Sequence, residues 1–231
     1  MKSRNREINI FNISMLDVIS GALGAFLLIM IVLMLKPDPL AKNLDLIIVM
    51  DTTGSMADEI EELKKSILSI VRVLDRVTMS LRIGFIAFRD HKNPDYLTKP
   101  FQIRDMDVEG QNKLQIFVEK LSWGNGFDIP ESIGPALGEA MKMSLRNDAQ
   151  KVLLLIGDAV AHDNDAVLQR VRDFHAGSEE RIISTIYAFS KKRGRDAPTQ
   201  EFFRRVAETG GGEFVSGASG MMEAVLLSVL N

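Results

Sequence analysis

The sequence predicts a doubly wound α/β domain, a mostly parallel sheet with helices on both faces, preceded by one transmembrane helix. Three observations predict it. Leu44–Met50, Leu81–Phe88 and Lys151–Ile156 are almost continuously apolar, and several of their residues are β-branched. Such runs lack the polar alternation of a half-exposed strand and mark strands buried on both faces. They alternate with helical segments of ten or more residues, the pattern of a parallel sheet covered on both sides. Ahead of them, Val18–Leu35 runs for 18 residues without a charge. A hydrocarbon core of about 30 Å needs about 20 residues at helical rise.

Taken in order, residues 1–12 form a cytoplasmic segment, 13–35 the transmembrane helix, 36–43 a linker marked by Pro37 and Pro39, and 44–231 the α/β domain. Within the domain a strand at Leu44–Met50 leads to a helix at Ser55–Val77. Its first turns carry Asp58, Glu59, Glu61 and Glu62, which suit the positive end of the helix dipole. A strand at Leu81–Phe88, a short one around Tyr96–Phe101, and helices at Gln111–Leu121 and Pro130–Leu145 come next. Lys151–Ile156 is a strand, Asn164–Ala176 a helix, Arg181–Phe189 a strand, Thr199–Glu208 a helix, Gly212–Val215 a short strand and Gly220–Leu230 a closing helix.

Composition excludes several classes of protein. The chain has 231 residues, 28 Lys and Arg against 31 Asp and Glu, a net charge of −3 and no cysteine. That rules out a disulfide scaffold, a thiolate metal site and a cysteine enzyme, and gives no basis for nucleic-acid binding. His91, His162 and His175 are too scattered for a zinc site. There is no G-x-x-x-x-G-K-S/T phosphate loop and no G-x-S-x-G elbow. Thr53 stands where strand-terminal aspartate phosphatases need a second acid. The basic run Lys191-Lys192-Arg193-Gly194-Arg195 reads as a solvated loop, the alternative being contact with an acidic partner or a phosphate.

The apolar run at 18–35 exceeds a signal-peptide core and has no small-residue cleavage pattern after it, so an uncleaved single-pass anchor is expected. Lys2, Arg4 and Arg6 precede it and Lys36 and Lys42 lie beyond it, a bias that places the N-terminus in the cytoplasm and the domain outside it. Asp17 shares a helical face with Gly21 and Gly24, and Ser20/Gly24 and Gly21/Ala25 are small-xxx-small pairs, which favour a close helix partner over lipid. The alternative is an interfacial carboxylate at headgroup level. The stretch from Asp17 to Met30 resembles the single transmembrane helix of the flagellar-stator B subunits and their Ton/Tol-type relatives. That resemblance implies that Asp17 carries a translocated proton or ion inside a polytopic inner-membrane partner. The peptidoglycan-binding domain of the stator family is not evident in this sequence.

In a doubly wound sheet, ligands bind beyond the C-terminal strand ends. The first strand ends in Asp51-Thr52-Thr53-Gly54-Ser55, a later one in Gly157-Asp158, and between them lies the loop Trp123-Gly124-Asn125-Gly126-Phe127-Asp128. Carboxylates and hydroxyls converging at one rim suit a hard cation such as Mg²⁺, with Mn²⁺ or Ca²⁺ as variants. A competing reading makes Ser55 only the N-cap of the long helix. Trp123 and Phe127 are either partner anchors or buried beneath the loop, and His162 lies along the rim.

Residues 43–231 resemble the von Willebrand factor type A domain, itself Rossmann-like. The resemblance rests on Asp51-x-Thr53-x-Ser55, on Asp158, on Arg82–Asp90, on Gly157-Asp158-Ala159 with His162, and on Thr209–Phe214. It implies a metal-ion-dependent adhesion site of Asp51, Thr53, Ser55 and Asp158, with Asp128, three residues before Glu131, where many members place a threonine. It further implies a binding protein and not an enzyme, its cation completed by an acidic group on a protein partner. The expected setting is the inner membrane of a bacterium with the domain periplasmic, as an accessory subunit of an ion-driven, stator-like complex; a homodimer is a further expectation. The alternatives are a cytoplasm-facing scaffold working with an ATPase, and a metal-assisted hydrolase, for which the sequence offers no evident base or nucleophile.

Overall fold

β1 (Leu40–Asp51) lies at the centre of a six-stranded sheet whose order is β3-β2-β1-β4-β5-β6. The structure, a computed structural model, describes residues 40–90, 95–124, 131–188, 196–216 and 220–230. All belong to Leu40–Asn231, the second of two units into which the chain divides. The transmembrane helix expected at 13–35, and Asp17 with it, lies outside the described residues. Among the described residues no helix is long and apolar enough to cross a membrane.

β2 (Thr78–Phe88), β4 (Ala149–Gly157), β5 (Arg181–Tyr187) and β6 (Gly211–Ser216) run parallel to β1, and β3 (Thr98–Asp105) closes one edge antiparallel to β2. The core strands are buried on both faces, as their unbroken apolar runs require. Leu46, Ile48 and Met50 point into one layer, which contains α1 (Ala57–Val77), α2 (Val108–Glu119) and α6 (Met221–Leu230). Ile47 and Val49 point into the other, with α3 (Ile133–Ala140), α4 (Asn164–Ala176) and α5 (Ala197–Thr209). A short 3₁₀ turn, Gly54–Met56, joins β1 to α1.

The helix after β1 covers one face and the helix after β4 the other. Because β1 and β4 are neighbours, their connections leave in opposite directions and open a crevice between the strand ends, the topological switch point. The ladder between them extends to Met50 opposite Ile156. Asp51 and Asp158 therefore emerge beside each other at this crevice.

Several element boundaries differ from the sequence expectation, β3 among them at Thr98–Asp105 and not Tyr96–Phe101, and two of the differences bear on the packing. β1 starts at Leu40 and not at Leu44, because Leu40 and Asn43 register against Thr78 and Ser80 and take the last residues assigned to the linker into the sheet. The helix expected at Pro130–Leu145 is only Ile133–Ala140. After it, Lys142 and Met143 donate to carbonyls three residues back, Glu139 and Ala140, and the chain turns. Asp45, 0% exposed, captures the chain beyond that turn: its Oδ2 accepts the Arg146 backbone N–H at 2.7 Å and its Oδ1 accepts Arg146 Nε–H at 2.8 Å. The Arg146 guanidinium continues to the Leu44 carbonyl at 3.0 Å, and Arg82 stands 3.7 Å from Asp45 Oδ2.

This buried ion pair ties β1 to the β4 approach near the N-terminal side of the sheet. Arg146→Ala would leave the Asp45 carboxylate buried with its main partner removed, a loss of about 3 kcal/mol. Chemical denaturation should show the midpoint falling with an unchanged slope.

Candidate functional site

The two buried aspartates of β1 make opposite use of their oxygens. Asp45 has both engaged. Asp51, 1% exposed, has Oδ1 fixed by the Thr53 backbone N–H at 2.7 Å, while its buried Oδ2 has no hydrogen-bond partner. Burial, followed by the negative charge of Asp158, pushes the Asp51 carboxyl up from 3.8 to about 7, against the Thr53 hydrogen bonds and the Arg89 charge, which pull it down. A carboxylate in this position is held at a cost that a cation would offset.

The neighbouring donors are oxygens. Thr53 Oγ1 and Ser55 Oγ lie 3.2 Å apart and share a hydrogen bond, and Ser55 Oγ–H donates to Asp158 Oδ1 at 3.1 Å. The structure thus brings Asp51, Thr53, Ser55 and Asp158 into one chain of contacts across the switch point. Ser55 makes no N-capping hydrogen bond to the helix. The caps of the Gly54–Met56 turn and of α1 are Thr53 and Met56, and neither has a side-chain cap bond. The hydroxyls at the head of α1 are therefore turned toward the aspartates.

Gly124 brings the third loop in. Its N–H donates to the Thr52 carbonyl at 3.1 Å and it forms a parallel bridge with Thr53. The approach is close enough that a Cβ on Gly54 would stand 3.3 Å from the Gly124 carbonyl oxygen. Trp123, one residue earlier, is 49% exposed with Lys64 Nζ 6.0 Å from its ring centre, so the burial alternative does not hold for it. His162 is placed after β4, its Nε2 3.7 Å from Asp90 Oδ1, at a cleft of about 250 Å³ that Glu131 and Arg170 also line. The backbone of Glu131 accepts the His162 N–H at 3.3 Å. Asp128 and Phe127 lie outside the described residues, as do His91 and the basic run at 191–195.

Three residues near the site escape sequence reasoning. Glu59, read only as a dipole-favourable acid, has a buried Oε2 without a hydrogen-bond partner; burial raises its carboxyl above the ordinary range, with the Asp158 charge adding to it. Arg89 and Asp90 are both buried just beyond β2. Their signal was available: an adjacent opposite-charge pair directly after an apolar strand, at the same rim as Asp51.

Among the described residues no group of three or more His, Cys, Asp or Glu forms a metal cage. The donor set here is of another kind, two carboxylates and two hydroxyls. With the buried oxygen of Asp51 it fits a hard cation that keeps part of its water shell.

The von Willebrand factor A domain profile matches residues 45–218, which include every contact just described. The chain belongs to the von Willebrand factor A domain family. It is also similar to an α-protein kinase, vwkA, of Dictyostelium discoideum, 28% identical over 123 residues. That match takes in 52% of this chain and 19% of the relative, so the chain covers about a fifth of that protein.

The raised Asp51 carboxyl gives a pH signature with a definite sign. Its protonated form contributes stability that is complete below about pH 4 and is lost as pH rises through about 7. In chelator the melting temperature should therefore fall across this range. Asp51→Asn, which keeps the neutral form at all pH values, should flatten that dependence, as thermal unfolding monitored by circular dichroism would reveal.

Proposed function

We propose that this von Willebrand factor A domain is a cation-dependent protein-binding module, carried on a single transmembrane helix. The observation that carries the reading is the buried Asp51 Oδ2, without a hydrogen-bond partner at a switch point where Thr53, Ser55 and Asp158 also converge. Thr53 and Ser55 would hold Mg²⁺ directly through their hydroxyls, with Asp51 and Asp158 binding directly or through water, and Asp128 from the neighbouring loop. The bound ion supplies Lewis acidity toward an oxygen ligand, and an acidic group on a partner protein completes its coordination. Mn²⁺ or Ca²⁺ would occupy the same donors with different preference.

The residues of the chain supply the remaining selectivity. Trp123 offers a half-exposed aromatic surface at the rim, of the kind that anchors protein interfaces. Binding, not catalysis, is the reading that this donor set favours. The kinase activity in the name of the Dictyostelium relative belongs to a protein of which this chain matches 19%.

The uncharged stretch at 18–35 and the cationic residues before it support anchoring in a bacterial inner membrane with the domain in the periplasm. Asp17 and the small residues beside it support docking to a polytopic membrane protein, making the chain an accessory subunit of a stator-like complex.

Two measurements test these layers. In the full-length protein, Mg²⁺ at about 100 times its dissociation constant should stabilise the fold by about 2.7 kcal/mol. Asp51→Ala should abolish the gain in a thermal-shift titration, and an unchanged melting curve for the wild type would remove the cation reading. A reporter fused to Asn231 that is active only in the periplasm should be active. Asp17→Asn should then abolish function while leaving membrane insertion and assembly intact.

A further inference from the structure

Arg89 is among the largest fully buried side chains, 1% exposed, although a guanidinium is costly to take out of water. Its two Nη groups are engaged, while the buried Nε has no hydrogen-bond partner. Nη1 donates to Asp95 Oδ2 at 2.6 Å, and Nη2 donates to the Ser122 carbonyl and to Ser122 Oγ at 3.2 Å. The guanidinium plane sits 4.3 Å from the centre of the Tyr96 ring, and the Tyr96 hydroxyl is 2.9 Å from Thr52 Oγ1. Thr52 in turn receives the Gly124 N–H on its carbonyl, and its own N–H and hydroxyl both donate to the Phe88 carbonyl at 2.9 Å.

One buried cation therefore joins three connections: the one after β1 that carries Asp51–Ser55, the one after β2, and the segment Ser122–Gly124 after α2. Two of its partners touch the candidate cation site within a residue or two. Ser122 precedes Trp123 and Gly124, and Gly124 bridges Thr53. Tyr96 holds Thr52, which lies between Asp51 and Thr53.

We propose that Arg89 is a positioning residue that couples the cation site to the partner-facing rim, holding Ser122–Gly124 against Thr52–Thr53 so that cation uptake and the placement of Trp123 are linked. This coupling rests on the cation reading above and adds its regulation: the metal prepares the aromatic surface on which a partner docks, and Arg89 transmits the change. A planar fork with several donors suits this role, since it bridges two loops while stacking on a third residue. Lysine keeps the charge but cannot reproduce the bridge.

Trp123 is the single tryptophan of the chain, so its emission reports on the rim alone. The test titrates Mg²⁺ into full-length protein in detergent micelles, with calorimetry for cation binding and tryptophan fluorescence for the rim, in the wild type, Arg89→Gln, Arg89→Lys and Tyr96→Phe. The wild type should bind Mg²⁺ and shift its Trp123 emission with the same midpoint. Arg89→Gln should bind about tenfold more weakly or worse, the scale of a lost hydrogen bond to a charged group, and lose the emission response. Arg89→Lys should recover part of the affinity but not the response. Tyr96→Phe removes only the hydroxyl that reaches Thr52, leaves the ring stack, and should weaken the response in a folded protein.

Calorimetric binding with an emission response that is the same in Arg89→Gln and the wild type would overturn the coupling while leaving the cation site intact. Should Arg89→Gln fail to fold, a wild-type response and affinity in Tyr96→Phe would overturn it equally. Absence of Mg²⁺ binding in the wild type by calorimetry would remove the cation reading and the coupling with it.

Discussion

A carboxylate that the fold buries and only half satisfies governs the rest of this molecule. Asp51 is carried to the switch point by the most deeply buried strand, and the loop after it turns back at once so that the Thr53 amide takes one oxygen. The other oxygen is left facing the place where the β1 and β4 connections part. Nearby buried polar groups are organised around that fact. The Thr53 and Ser55 hydroxyls meet each other, Ser55 reaches Asp158 from the adjacent strand end, and the positive charge of Arg89 acts on Asp51.

The contrast with Asp45 shows that this is not a general property of buried acids in the fold. Six residues earlier on the same strand, and on the same face, a carboxylate is buried equally and fully paired with Arg146. The same chain therefore builds one closed ion pair and one open site. The difference lies in the connections: a turn after α3 carries an arginine back to Asp45, whereas the loops around Asp51 carry hydroxyls and another acid. The closed pair ties β1 to the chain before β4, and the open one leaves a buried carboxylate oxygen without a partner.

The rim adds a second level of organisation. Loops at a switch point have few apolar contacts of their own, and here they are joined by polar links, from Arg89 to Ser122 and Asp95, from Tyr96 to Thr52, and from Gly124 to Thr52. Such links respond to charge. The candidate site at Asp51 is thereby connected to the exposed indole of Trp123 through a few directional bonds.

Much of this was legible in the sequence. Continuous apolar runs gave the parallel core strands, because burial on both faces leaves no polar alternation, and acid and hydroxyl residues just beyond two of those runs marked Asp51, Thr53, Ser55 and Asp158. Boundaries were less legible where tertiary pairing overrides local pattern: polar residues before Leu44 join β1 through register with β2, and the helix ending at Ala140 is cut short by a turn that delivers Arg146 to Asp45. The sequence by itself determined which residues could reach the rim, since chain direction and strand ends come from periodicity. Only the tertiary structure decided what those residues do there. Whether a buried carboxylate is paired depends on side chains a hundred positions away, and so Asp45 and Asp51, alike in sequence context, became a structural ion pair and a candidate cation site.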